Sequence, residues 1–231
     1  MTILITGTSR GIGNYLARSF LAEGHTVIGF SRTEPEGKME GQYAHYRADI
    51  SDEKQVSQAV NEVRKKFGYI DVLVNNAGIA SMNHFCLTPL ETAKRVMNVN
   101  FFGTFLMTRE CTKLLRKSPH ARIVNFSTVA VPLNLAGEAS YAASKAAIES
   151  LTRTTAKELA DWGITVNAVA PVPVKTALIA GVPEEKLAGL LAHQAIKRYG
   201  EKEDVLNVIR FFIKPESSFI TGQIIYLGGI N

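Results

Sequence analysis

Short β-branched and aliphatic runs alternate with helical patterns from one end of this chain to the other, and that alternation constrains the fold more than any other feature. Strand-like runs fall near residues 2–6, 25–30, 43–48, 70–74, 121–126, 163–169 and 223–227, and helical patterns near 11–23, 52–67, 89–116, 140–161 and 201–213. Such alternation implies a parallel sheet covered by helices on both faces. Right-handed crossovers then give an α/β, doubly wound sheet that binds ligands at the carboxyl ends of its strands. At 231 residues with 46% hydrophobic content, the chain suits one well-buried domain spanning 1–231 and is short for a second.

The first strand breaks into Gly7-Thr8-Ser9-Arg10-Gly11-Ile12-Gly13 before a helical pattern begins. Glycines belong where the backbone must approach a ligand closely or adopt positive φ. The free N–H groups and positive end of the following helix then favour a phosphate. A glycine turn before a helix is also a common plain connection, and the spacing here is G-x-x-x-G-x-G rather than G-x-G-x-x-G.

A second feature bears on chemistry. Tyr141 and Lys145 are four apart in a run rich in helix formers, Tyr141-Ala-Ala-Ser-Lys145-Ala-Ala-Ile-Glu-Ser, so they share a helix face. A free phenol has a pKa of about 10, and a neighbouring ammonium stabilises the phenolate. Tyr141 is therefore a candidate general acid or base. The other reading of an isolated pair is an inert helix surface.

Composition excludes several classes. Cys86 and Cys111 form no C-x-x-C and the five histidines no H-E-x-x-H, so neither a disulfide scaffold nor a metal site is expected. The net charge of +5 is spread among acidic residues without a basic block, which reads as a solvated surface rather than a nucleic-acid interface. The apolar stretch 163–182 is interrupted by Asn167, Lys175 and prolines and reads as a buried strand leading into a loop, not a membrane span. A strand opening at residue 2 leaves no room for a charged leader, so a cytoplasmic location is expected.

Several motifs in order resemble the short-chain dehydrogenase/reductase family over nearly the whole chain: Thr6 to Gly13, Asp49, Asn75-Asn76-Ala77-Gly78, Asn100, Ser127-Thr128, Tyr141 to Lys145, Val166 to Pro171, and Ile220 to Gln223. The pattern is most like the 3-oxoacyl-(acyl-carrier-protein) reductase group. The resemblance implies a Rossmann-type fold and a catalytic set of Asn100, Thr128, Tyr141 and Lys145. Tyr141 would protonate the substrate oxygen as hydride arrives, or take the hydroxyl proton in reverse. Lys145 would hold the nicotinamide ribose and depress the tyrosine pKa, and Asn100 would help hold a relay water.

The same resemblance implies a cofactor cradle of Gly7, Ser9, Arg10, Gly11, Ile12 and Gly13, with Asp49 and Ile50 at the adenine. Asn76, Ala77 and Gly78 would flank the adenosine side, and Asn75 would do so or brace the sheet. Pro171, Val172, Val174 and Thr176, with Tyr141 and Lys145, would lie at the nicotinamide. Ser31 stands where NAD-preferring members usually carry Asp, and Arg32 follows it. With Arg10 it offers planar guanidinium groups to a 2′-phosphate, so NADP(H) is the expected cofactor.

Three positions depart from the family's pattern. Thr128 replaces the usual serine thirteen positions before Tyr141, keeping the hydroxyl while adding a methyl that stiffens χ1. Ser127 would point to the other face of the strand and serve structure. Val172 stands where glycine is common, adding bulk beside the expected nicotinamide, and Gly228 where an Asp is often found.

Substrate walls are expected from Ala80 to Phe85, Val131 to Leu135 and the 172–199 segment, an apolar pocket or lid whose leucines ordinary core packing explains as well. The expected activity is reduction of a ketone, a 3-oxoacyl thioester among the candidates. The alternatives are an alcohol dehydrogenase or reductase of sugar or secondary metabolism, and a catalytically weak NADP-binding regulator. A carrier-bound substrate could be drawn by Lys113, Arg116, Lys117 and Arg122; a solvated helix end accounts for the same cluster equally well. The resemblance also implies a homo-oligomer, dimer or tetramer, through the helices near 89–116 and 140–161.

Overall fold

The structure, a computed structural model, describes residues 1–179, 181–182 and 184–230. Seven parallel strands form one sheet in the order β3-β2-β1-β4-β5-β6-β7. They are β1 Thr2–Thr6, β2 Thr26–Ser31, β3 Tyr43–Arg47, β4 Val72–Asn75, β5 Arg122–Phe126, β6 Thr165–Ala170 and β7 Ile224–Tyr226. The expected helices appear as α1 Gly11–Ala22, α2 Glu53–Phe67, α3 Leu90–Met97, α4 Gly103–Leu115, α6 Ala139–Glu158 and α8 Lys202–Ile213. Two further helices are α5 Ala130–Leu133, in a stretch expected only as a substrate wall, and α7 Glu184–His193, within the expected loop or lid.

The strands read as continuous apolar runs because the sheet is buried on both faces. Leu4, Ile28, Leu73 and Ile123 point to a core shared with α2, α4 and α6. Ile3, Ile5, Val27 and Val74 point to one shared with α1 and α8. The largest buried side chain of α1, Phe20, is fully enclosed in the second core, and truncating it to alanine would cost about 3–5 kcal/mol. Helix ends are set locally. Asp52 accepts from the amides of Lys54 and Gln55 to start α2, and Glu201 with Asp204 forms a reciprocal capping box on α8.

The chain order reverses between β1 and β4, so the crossovers diverge there and leave a crevice at the strands' carboxyl ends. The helix expected over 89–116 is interrupted between α3 and α4 by a π-helical turn, Asn98–Phe102. The interruption has a tertiary cause. Asn100 bonds across to the backbone of Ile79, and Gly103, whose added Cβ would lie 2.7 Å from Ile50 Cδ1, lets α4 close on the sheet. Among the described residues no helix is long and apolar enough to cross a membrane.

Candidate active site

The glycine turn between β1 and α1 forms a cradle that side chains would fill. Gly7 and Gly11 have φ of +77° and +66°, and a Cβ on Gly13 would lie 2.2 Å from the Gly7 carbonyl oxygen. Above Gly11 the nearest neighbour a Cβ would meet is Thr176 Cγ2 at 4.0 Å, so the helix N-terminus opens onto free space fit for a pyrophosphate. Asn76 braces this turn from β4 by donating to the carbonyls of Thr6 (2.8 Å) and Gly7 (3.3 Å), while the Ala77 amide donates to Thr6 Oγ1 at 3.0 Å. Asn75 turns the other way and donates to Thr108 and Asn125, which favours the sheet-bracing reading of that residue. The Ser9 carbonyl accepts from Glu36 N at 2.7 Å, tying the following loop to the cradle.

The end of β2 lies beside the cradle. Ser31 is buried, its hydroxyl donating to the Thr33 carbonyl at 2.9 Å and lying 3.4 Å from Thr8 Oγ1. Arg10 and Arg32 are exposed, and Arg32 Nη1 lies 4.0 Å from the Asp49 carboxylate. Asp49 itself accepts from the amide and hydroxyl of Ser51, and Ile50 packs inward against Gly103. A residue outside the expected set, Arg47 at the end of β3, donates to the Arg32 carbonyl at 2.9 Å and fixes that corner. Its signal in the sequence was its place at the end of a strand adjacent to β2.

Tyr141 and Lys145 share one face of α6 as their spacing requires, and both line the same cavity as Thr128. Burial pushes the Tyr141 phenol up to about 12; Glu138 adds to the rise, and only the hydrogen-bonding Thr128 side chain pulls it down. Lys145 is pushed down to about 8 by burial, and its ammonium donates to the Phe126 carbonyl at 2.7 Å. Burial therefore dominates the phenol in this arrangement, and the ammonium that would lower it is engaged with the strand end. Asn100 is fully buried. Its amide group accepts from Ile79 N and donates to Ile79 O and Ser144 Oγ, each at 2.9 Å. Its side chain is thus occupied in clamping the Gly78–Ile79 backbone against α6. A Cβ on Gly78 would lie 3.2 Å from Asn100 Oδ1 and 3.5 Å from Lys145 Nζ, so the glycine permits this close approach.

The cavity, of about 540 Å³, runs from Ile12 and Gly78 past Tyr141 to the segment after β6. Leu178, Ile179, Val182, Leu187 and Leu190 line it as expected, and Leu191 does not. Residues 180 and 183 of the 172–199 segment lie outside the described residues. Ala80, Ser81, Met82 and Leu135 also line the cavity, whereas Phe85 is exposed and Val131 to Asn134 stand outside the lining. Short α5 carries the latter group away from it. Glu138 and His193 are lining residues the sequence did not single out. Pro171 accepts from Val129 N through its carbonyl, and Val174 and Thr176 line the cavity beside it.

Val172 lines the cavity as expected, but only a small part of its side chain is exposed there. It is buried with Val129 and Ile230, and one of its methyls fills the place a side chain on Gly228 would take, 2.8 Å from that Cβ position. The two departures at 172 and 228 are therefore complementary. The basic cluster needs a larger correction. Lys113, Arg116 and Lys117 close the far end of α4, which leads into the start of β5 and so lies opposite the cavity. Arg116 stacks over Trp162 at 4.2 Å, and Arg122 is only 3% exposed because β5 is covered on both faces. Among the described residues no group of three His, Cys, Asp or Glu is placed to hold a metal ion.

Residues 7–230 match the family model described as Enoyl-(Acyl carrier protein) reductase. The chain is 37% identical over 235 residues to the 3-oxoacyl-[acyl-carrier-protein] reductase FabG of Thermotoga maritima, covering 98% of this chain and 95% of that protein. It is 30% identical over 231 residues to the FabG of Escherichia coli, with the same coverage. The ligand-free structure of Thermoplasma acidophilum aldohexose dehydrogenase superposes with a TM-score of 0.90 at 30% identity, over 99% of this chain and 93% of that one.

Proposed function

This chain belongs to the short-chain dehydrogenase/reductase family, and from that membership we propose that it is an NADPH-dependent reductase of a ketone, a 3-oxoacyl thioester by preference. The observation that carries the reading is the meeting of Thr128, Tyr141 and Lys145 in one cavity that opens beside the glycine cradle. The cradle suits a dinucleotide because its glycines leave the helix N-terminus bare where side chains would collide. Gly7, Ser9, Arg10, Gly11, Ile12 and Gly13 would hold the pyrophosphate side, Asp49 and Ile50 the adenine, and Asn76 to Gly78 the adenosine flank. Arg10 and Arg32 would hold the 2′-phosphate, with no acid at Ser31 to repel it. Pro171, Val172, Val174 and Thr176 would border the nicotinamide, and Lys145 and Tyr141 its ribose. Bound there, NADPH supplies the hydride.

The chain's own groups do the rest. Thr128 Oγ and the Tyr141 hydroxyl orient the substrate oxygen by hydrogen bonding. Burial keeps Tyr141 protonated at neutral pH, and it gives its proton to the substrate oxygen as that oxygen becomes an alkoxide, a stronger base than the phenolate left behind. Lys145 remains largely cationic at pH 7 with a value near 8 and favours the phenolate left behind. Asn100 keeps the Gly78–Ile79 backbone and α6 in register.

The 3-oxoacyl preference rests on the names of the curated relatives and on the aliphatic cavity wall. A sugar or other alcohol dehydrogenase is the second reading, favoured by the aldohexose dehydrogenase likeness, though that wall offers few partners for several hydroxyls. The protein works in the cytoplasm as a homo-oligomer, for which the exposed Phe102 and Phe105 at the π turn and α4 supply an apolar face, and light scattering tests this. The deciding experiment is NADPH oxidation at 340 nm against a panel containing a 3-oxoacyl thioester and an aldose pair, with NADH alongside. Turnover of the thioester with NADPH is expected. NADPH binding without turnover of any substrate would instead favour the regulator.

A further inference from the structure

A carboxylate that the proposed chemistry does not use lies on the face of α6 that carries Tyr141 and Lys145. Glu149 follows Lys145 by one helical turn, and it is only 5% exposed. Its Oε1 accepts hydrogen bonds from Ser127 Oγ at 2.7 Å and from Tyr226 Oη at 2.6 Å. Oε2 lies 3.5 Å from Nη2 of Arg153, one turn further along. Glu149 is not among the described residues that line the cavity.

The neighbours of Ser127 give this buried contact its meaning. Phe126, Ser127 and Thr128 leave the end of β5 in succession, and each is tied to the same helix face. Lys145 takes the Phe126 carbonyl, Glu149 the Ser127 hydroxyl, and Tyr141 meets the Thr128 hydroxyl. A carboxylate acceptor makes a bond roughly twice as strong as a neutral one, and a buried hydroxyl deprived of it would be left unsatisfied. The middle tether therefore resists any slide of the strand end along α6, which would carry Thr128 away from the phenol. Through Tyr226, the last residue of β7, the same oxygen also ties in the chain two residues before Gly228, which packs on Val172.

We propose that Glu149, acting through Ser127, is the positioning residue that sets the Thr128 hydroxyl opposite Tyr141. The catalytic part of this inference rests on the reductase reading above. It makes Glu149 responsible for the rate of the chemical step and not for cofactor affinity, since its contacts lie away from the glycine cradle.

Steady-state kinetics of Glu149→Gln, Ser127→Ala and Thr128→Ala, with both doubles containing Thr128→Ala, test it on proteins verified as folded by thermal melts. Each of the first two should lower kcat about 10-fold with the KM for NADPH unchanged, and neither should lower kcat further once Thr128 is alanine. An equal fold-loss in both backgrounds, or an unchanged kcat in the folded single variants, would overturn the proposal. A Thr128→Ala enzyme with full turnover would also overturn it, since the hydroxyl being positioned would then not matter, whereas a wild type with no turnover defeats the reductase reading instead. The positioning claim is then decided by the 13Cζ NMR signal of Tyr141, assigned by its loss in Tyr141→Phe. Glu149→Gln and Ser127→Ala should displace it in the direction that Thr128→Ala does, and an unmoved signal refutes the claim.

Discussion

Val172 and Gly228 offer a test of whether two departures from the family pattern are one compensated change. A Cβ on Gly228 would stand 2.8 Å from Val172 Cγ1, and the residue has φ of +75°. Gly228→Ala should therefore cost about 1–2 kcal/mol for the left-handed backbone and about 1–3 kcal/mol for overpacking against the valine. Val172→Ala removes two buried methyls and should cost about 2 kcal/mol. Were the sites independent, the double variant would lose the sum, about 4–7 kcal/mol. Because deleting the Val172 methyl clears the space that the new Cβ needs, the overpacking part should vanish and the double should lose only about 3–4 kcal/mol. Urea unfolding of the four proteins at one protein concentration reads this directly, provided m stays constant across the set. Additivity within about 0.5 kcal/mol would refute the argument, and would mean that Val172 yields to the added atom without cost.

Other consequences are simpler to read. Tyr141→Phe should reduce kcat by at least about 100-fold, the scale of a lost general acid, while NADPH still quenches or shifts protein fluorescence on binding; substantial residual turnover would remove Tyr141 from its role. Arg10→Ala and Arg32→Ala should each raise the KM for NADPH by roughly 5- to 30-fold, as expected for one charge-assisted contact at an exposed site, and leave the KM for NADH alone. Parallel changes for both nucleotides would place these guanidinium groups elsewhere than at a 2′-phosphate. Lys145 is held near 8 in the folded chain against an ordinary 10.5, so between those values the unfolded chain binds more protons and stability rises with pH, by up to roughly 3 kcal/mol. Urea midpoints measured from pH 7.5 to 10 should climb in the wild type and flatten in Lys145→Met. Above pH 10 the trend reverses, since Tyr141, near 12 when folded, keeps a proton that the unfolded chain has lost. A climb of equal size in both proteins would show that Lys145 is not the source.

What the sequence made legible follows from the range over which each constraint acts. The strands and the Gly7 to Gly13 turn were readable because burial on both faces and positive φ are written into a few adjacent residues. The Tyr141–Lys145 face was readable because helical spacing alone brings the two together, and Glu149 carried the same signal one turn on without a chemical reason to notice it. Helix α7 had weak local marks too, Glu184 and Glu185 in its first turn and His193 in its last, which suit a helix dipole. The π turn was hidden because its cause, the clamp between Asn100 and Ile79, joins residues that are far apart in sequence. Arg122 misled for a related reason: its charge belongs to a surface by composition, but its strand lies between β4 and β6, where helices cover both faces. Val172 and Gly228 each looked like a defect when read alone. Only their contact turns two anomalies into one packing solution, and the same logic places Ser127 with Glu149. Side chains that depart from a pattern, or stand idle beside it, acquire a role when the fold supplies the neighbour that the linear sequence withholds.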